Sequence, residues 1–365
     1  YIVACTLLIN QLSAGQKVLL QGTRKIAELA KASVFGGIIG LIFSLPLYYF
    51  FKENGIAMSI LCSSILSFIF STIYSKRLDI KAIYLPRKAL FTKAKGMITL
   101  GFFLSISNLA STGFSYLFRI YLSNQGSLID VGYYNAGFAI IGTYVGLVFT
   151  AMATDYYPRL ASVASNNEQC RDEINQQLEM AIIILSPILC GFIFYIDWAL
   201  VLLYSSEFNS IRTMSIWAAY GVYFKAASWS IAYLFLAKGA SRLFFYNEIF
   251  THCYLFILNI IFYKFWGLNG VGVSYLVGYI LHFLQMWIVA KIKYDFSLSK
   301  KFIRVFIFQL LFGTVSLLMS LLFEKNILFY IVASFIYSIL LVSTFFILDR
   351  RIELRRNFLK KFYSR

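Results

Sequence analysis

Residues 97–122 read MITLGFFLSISNLASTGFSYLFRIYL, 26 residues with a single charge at Arg119. A stretch of this length and composition is enough to cross a hydrocarbon core of about 30 Å as a helix. Its polar residues are not scattered. Gly101, Ser105, Asn108, Thr112, Ser115 and Arg119 recur at intervals of 4, 3, 4, 3 and 4. They therefore share one helical face, and the phenylalanines and leucines take the rest of the circumference.

Ten more stretches of the same kind flank it. The predicted spans are 1–20, 33–51, 55–75, 97–122, 131–155, 179–200, 213–237, 243–263, 268–292, 303–322 and 326–348. Hydrophobic residues make up 60% of the chain and charged residues 13%, and the mean hydropathy is +0.73. This composition predicts an all-α polytopic membrane protein. The 33 lysines and arginines sort onto alternate connections. Lys52, Arg212, Lys264 and Lys325 fall on one side, Lys17, Arg119 and Lys225 lie within spans, and the other 26 share the opposite side. The positive-inside rule puts those 26, seven of them in the basic C-terminal tail, in the cytoplasm of a bacterial inner-membrane protein. The net charge of +17 thus reads as topology plus contact with anionic lipid head groups, and nucleic acid is not an expected partner.

The chain carries an internal repeat. Residues 54–61, NGIAMSIL, match residues 269–276, NGVGVSYL, at four of eight positions and an offset of 215. Gln21-Gly22-Thr23-Arg24 has a looser echo in Lys238-Gly239-Ala240-Ser241-Arg242. Six spans separate the matched helices, so the copies have the same orientation, as in a parallel repeat about an axis along the membrane normal. The expected layout is 1–75 as the last three helices of a first lobe, 76–96 as a basic cytoplasmic linker, 97–292 as a six-helix second lobe, 293–348 as an extra helix pair and 349–365 as a basic tail. Three further helices are expected ahead of Tyr1, which already lies inside an apolar span. They would bring the total to about fourteen.

The polar positions inside spans are the candidate functional residues. Asn135 shares a face of 131–155 with Ala139, Gly142, Gly146 and Thr150; Lys225 shares one of 213–237 with Gly221 and Ser228; Lys17 lies near Asn10 and Ser13. Small residues on such faces serve either close helix packing or a polar lumen. Charges in hydrocarbon need a partner or a watery cavity. Lys225 falls near mid-span. Arg119 and Lys17 lie near span ends, where snorkelling to the interface is the alternative. Glu248 and His252 are four apart on one face and are expected to share a proton as ion-coupling groups. The alternatives are a structural pair, or pairing of Glu248 with Lys225. Pro46 and Pro187 are expected to kink their spans. The five cysteines show no metal or redox spacing. No nucleophile–base arrangement, phosphate loop or cofactor motif is present, so neither an enzyme nor a cofactor is expected.

Val131-Gly132-Tyr133-Tyr134-Asn135-Ala136-Gly137, Tyr157-Pro158-Arg159-Leu160, Leu19-Leu20-Gln21-Gly22 and Leu268-Asn269-Gly270-Val271-Gly272 together resemble the polysaccharide flippases. These belong to the multidrug/oligosaccharidyl-lipid/polysaccharide exporter superfamily, which includes the O-antigen translocases. The resemblance covers about residues 1–292. It implies two helical lobes around a central cavity open to one side at a time. It also implies a polyprenyl-pyrophosphate-linked oligosaccharide as substrate, and polysaccharide polymerase machinery as a neighbour. Basic cavity residues of the family would correspond to Arg119 and Lys225, with Asn108, Thr112, Ser115, Asn135 and Lys17 as further lumen candidates. Tyr116, Tyr133, Tyr134, Tyr144 and Tyr220 are candidates for stacking on sugars. The competing readings are a cation-coupled multidrug exporter of the same superfamily and a membrane polysaccharide polymerase or ligase.

Overall fold

The computed structural model describes residues 2–78, 80 and 86–352. Helices, a short 3-10 segment and turns make up all the regular structure among them. In chain order the helices are α1 (Ile2–Gly22), α2 (Ile26–Ser75), α3 (Arg87–Gln125), α4 (Leu128–Ser162), α5 (Asn167–Phe194), α6 (Ile196–Leu203), α7 (Arg212–Ala237), α8 (Ser241–Tyr294), α9 (Lys300–Leu322) and α10 (Ile327–Ile352). Nine helical segments among the described residues are long and apolar enough to cross a membrane. One is α8, 54 residues long, which is broken at Trp266 and Gly267 and so supplies two of the predicted spans. The predicted span 213–237 is α7, in which Ser215, Ser228, Ser230 and Lys225 lower the hydropathy. Each of the eleven apolar stretches therefore has its helix.

Two sequence expectations change in detail. The span predicted at 179–200 stops at Phe194, and after Tyr195 the chain starts the separate short helix α6. Helical φ/ψ values continue through Pro46 and Pro187. The break in α2 falls instead at Lys52 (φ 46, ψ −125), where the chain reverses between two spans.

The chain divides into two compact units. The first runs to Leu90 and takes in Ala151–Arg159; the second holds Phe91–Thr150 and the described residues from Leu160 onward. In the first unit α1 packs on α2 through small hydroxyl side chains. Ser13 Oγ lies 3.2 Å from Ser71 Oγ and 3.3 Å from Ser67 Oγ, and a Cβ on Gly36 would sit 3.1 Å from the Ser67 Cα. Close backbone approach and hydroxyl pairing replace the hydrophobic drive that is lacking between helices in lipid. At one end of this unit Asp155 accepts from Arg24 Nη2 (3.3 Å) and forms an ion pair with Arg159 Nε (2.8 Å), which brings together two of the short motifs quoted above.

The repeat recurs bond for bond. Gly55 and Gly270 each follow a chain reversal, and a Cβ there would lie 2.3 Å from the Leu47 carbonyl oxygen and 2.0 Å from that of Phe262, eight residues back in both cases. Only glycine leaves room for that reversal. Ser59 and Ser274 then each donate to the carbonyl three residues back, at 2.8 Å. The upstream echo also falls at offset 215. Lys25 N–H donates to the Leu20 carbonyl at 2.9 Å and Ala240 N–H to that of Phe235 at 2.8 Å. Arg24 (φ 58) and Gly239 (φ 67) are the left-handed residues of the two turns. These are matching helix-ending turns of the Schellman type. The sequence comparison had set Gly22 near Gly239, whereas the backbone equates Arg24 with it.

Candidate functional site

The site is built in the second unit by α3, α4, α7 and the two arms of α8. Glycines set the spacing. A Cβ on Gly272 would lie 2.3 Å from the Met214 carbonyl oxygen of α7, and one on Gly221 would lie 2.8 Å from the Tyr275 ring and 3.0 Å from the Leu276 Cα. The second arm of α8 thus rests against α7 almost backbone to backbone. Lys225, one turn beyond Gly221, is thereby brought to Tyr275, whose hydroxyl accepts from Nζ at 3.2 Å. The same ammonium lies 5.2 Å from the Tyr279 ring centroid. This half-buried ammonium is held by one hydroxyl and one aromatic face.

These tyrosines form one wall of a cavity of about 180 Å³. Ser111, Ser115 and Phe118 of α3, Tyr134 and Phe138 of α4, and His252 and Asn259 of α8 complete it. The rings run in an unbroken series. Centroid separations are 5.3 Å for Phe118–Tyr134, 4.9 Å for Tyr134–Phe138, 5.3 Å for Phe138–Tyr275 and 4.5 Å for Tyr275–Tyr279. Ser115 and Arg119 lie beside the Tyr134 hydroxyl, and the buried Arg119 Nε has no hydrogen-bond partner among the described residues. The cavity thus offers aromatic faces and hydroxyls, with Lys225 and Arg119 beside its lining tyrosines, inside membrane-spanning helices. Such a set can hold a polar or anionic group that lipid would exclude.

Beside it lies a carboxylate between two imidazoles. Glu248 Oε2 is 3.7 Å from His252 Nε2, and Glu248 Oε1 is 3.7 Å from His282 Nε2. These are the only two histidines of the chain. The Tyr279 ring lies 5.9 Å from that of His282, and Phe114 stacks on His252 at 6.2 Å.

The predicted site residues distribute unevenly. Ser115 and His252 line the cavity, Lys225 is bonded to its wall, and Arg119 stands beside Tyr134. Glu248 pairs with both histidines, while Lys225 turns to the tyrosines. Asn108 and Thr112 are exposed, and the Thr112 hydroxyl donates to the Asn108 carbonyl of its own helix at 2.9 Å. Asn135 is exposed too, and α4 reaches the cavity through Tyr134 and Phe138. Lys17 belongs to the first unit, where Nζ donates to Ser67 Oγ at 3.1 Å. Of the five tyrosines singled out, Tyr134 lines this cavity, Tyr220 bonds Thr314 at 2.7 Å and Tyr116 is exposed. Sequence reading missed Tyr275, Tyr279 and His282. Their 4 and 3 spacing on one face of 268–292 was the available signal.

A family model described as "Polysaccharide biosynthesis protein" matches residues 1–213. Among solved structures the fold is similar to "Lipid II flippase MurJ, inward closed conformation", with a TM-score of 0.60 and 17% identity over 96% of this chain and 73% of that one. No curated protein sequence matches. Taken with its all-helical, multi-pass membrane architecture, the match over more than half its length means that this chain belongs to the polysaccharide biosynthesis protein family.

Proposed function

We propose that the protein is a flippase. It moves polyprenyl-pyrophosphate-linked oligosaccharide repeat units, of O-antigen or capsule type, from the cytoplasmic to the outer leaflet of a bacterial inner membrane by ion-coupled alternating access. The observation that carries this reading is Lys225, a cation held by Tyr275 and Tyr279 against a cavity of aromatic faces and hydroxyls. A pyrophosphate needs positive charge in a desolvated setting, and a glycan needs hydroxyl partners and ring faces; the isoprenoid tail can remain in lipid. Family membership in polysaccharide biosynthesis and a fold like that of a lipid II flippase support the same reading. The lumen assignment extends to Arg119 and Ser115, with Asn108, Thr112, Asn135 and Lys17 as outlying members. Glu248 and His252 are the coupling groups, and the basic connections and tail face the cytoplasm.

The test uses cells lacking the gene, assayed together for surface polysaccharide and for lipid-linked repeat units. A flippase predicts loss of surface glycan with units accumulating on the cytoplasmic leaflet. Units that reach the outer leaflet but stay unpolymerised would identify a polymerase instead. Unchanged glycan would reject the assignment and favour a drug exporter.

A further inference from the structure

Glu248 presents a different oxygen to each imidazole, at the same 3.7 Å separation. That is too long for a hydrogen bond and close enough for strong Coulombic coupling in a medium of low dielectric. His282 is 7% exposed, and neither of its ring nitrogens has a hydrogen-bond partner among the described residues. An imidazole buried with both nitrogens unsatisfied is costly in any fixed protonation state. A purely structural pair would close the gap. The neighbours leave the cluster's charge to itself. Asn247 and Gln285 bond one another (2.9 Å), and Thr251 bonds Gln285 (3.2 Å), so the adjoining amides are neutral and occupied. Among the described residues, the titratable or charged groups facing the cluster are Tyr254 from the first arm of α8, Tyr279 from the second, and Lys225 from α7 beyond the Tyr279 ring. From α3, Phe114 stacks on His252, and Ser111 and Ser115 share the cavity with it. No group of three ligating side chains among the described residues converges closely enough to hold a metal ion.

His252 belongs to this cluster and also lines the cavity. We propose that Glu248, His252 and His282 form a single proton-binding site, and that His252 displays its charge state on the cavity wall. An anion entering the cavity then draws one proton from solution onto the cluster. This deepens the flippase reading and rests on it for the anion. The physical reason is reciprocal: an added negative charge favours the imidazolium, and the imidazolium in turn favours the anion. Linkage to one proton makes anion affinity rise by up to about tenfold for each pH unit lost across the titration range. His282 acts as a positioning residue, its imidazole facing the second carboxylate oxygen and coupled to it through charge.

The chain, purified in lipid nanodiscs without a polyhistidine tag, gives ring-nitrogen signals from only two imidazoles when its histidines are labelled with nitrogen-15. Both rings should titrate, and Glu248→Gln should lower the pH at which each becomes charged. Titrations unchanged by Glu248→Gln, or no protonation down to about pH 5, would overturn the site. Calorimetry with inorganic pyrophosphate in buffers of different ionisation enthalpy should show uptake of a proton, abolished by His252→Gln and by Glu248→Gln. Binding without uptake would overturn the linkage and leave the flippase cavity standing. No binding to the unaltered chain would overturn the cavity reading and the linkage together, while the imidazole titrations still decide the proton site.

Discussion

Gly272→Ala probes the packing that creates the site. The added Cβ would lie 2.3 Å from the Met214 carbonyl oxygen, 2.8 Å from its Cα and 2.9 Å from its carbonyl carbon. All three are backbone atoms of α7, so no side-chain rotation relieves the clash. Ordinary contact needs about 3.5 Å or more, so the two helices must part by roughly 1 Å. Overpacking of this kind costs about 1–3 kcal/mol, occasionally more. The same displacement acts on the Lys225–Tyr275 bond. At 3.2 Å it has little slack before it passes the range of a hydrogen bond. The assay is thermal unfolding of purified protein at one fixed scan rate, because membrane proteins commonly unfold irreversibly. Pyrophosphate binding is measured on the same samples. Gly101→Ala is the control, since nothing lies within 4 Å of its Cβ position. Gly272→Ala should unfold several degrees below the control and bind pyrophosphate more weakly. Equal midpoints and equal affinities would refute the claim that this glycine sets the α7–α8 distance.

Gly55→Ala and Gly270→Ala should each destabilise the protein by at least about 1–3 kcal/mol, because each Cβ would press on a carbonyl eight residues back; a midpoint equal to that of Gly101→Ala in either variant would separate the two copies of the repeat. Lys225→Gln should weaken pyrophosphate binding roughly 10- to 150-fold, the worth of a charge-assisted hydrogen bond of about 1.5–3 kcal/mol, with an unchanged unfolding midpoint as the check that the fold survives. Asp197 lies 2.9 Å from Lys325 Nζ and 3.2 Å from Arg212 Nε, so Asp197→Asn should cost about 1–3 kcal/mol once partial exposure is allowed for, read as earlier proteolysis of the α9–α10 turn. Burial holds Lys325 below the ordinary lysine value of 10.5, against the opposing pull of Asp197. The unfolded chain then binds more protons in that window, and stability of this turn should rise with pH up to about 10.5 and stay level above it; a fall across the same interval would contradict the assignment.

The clamp at Asp197 shows how charge works outside the spans. One carboxylate joins α6, the start of α7 and the α9–α10 turn, and Arg212 also donates to the Ser320 carbonyl at 2.7 Å. Two cations share one anion there, with Lys325 nearly buried. Within the spans the arrangement is different: Lys225 has aromatic and hydroxyl partners, and Glu248 has imidazoles. Neither charge neutralises the other, so each remains available to a ligand.

The sequence by itself determined the helices and their number. Hydrocarbon demands about 20 apolar residues per crossing and complete internal backbone bonding, so length and hydropathy suffice. It also determined that the chain repeats at 215, because Asn-Gly followed by a serine marks each reversal, and that Glu248 and His252 share a face, because a helix places residues four apart together. It could not show which of the polar faces meet. The stripe through Asn108 and Thr112 has the same periodicity as one that lines a cavity, yet both residues are exposed and only Ser115 and Arg119 approach the site. His282 lies 30 residues beyond His252 and reaches Glu248 only because α8 reverses at Gly267 and Gly278 lets its arms close on Leu255. Lys225 chose tyrosines over Glu248 for the same reason: Gly221 and Gly272 fix how α7 lies against the second arm. Periodicity along one helix is local information, whereas the partner of each face depends on close approaches between helices distant in sequence, and those only the tertiary structure decided.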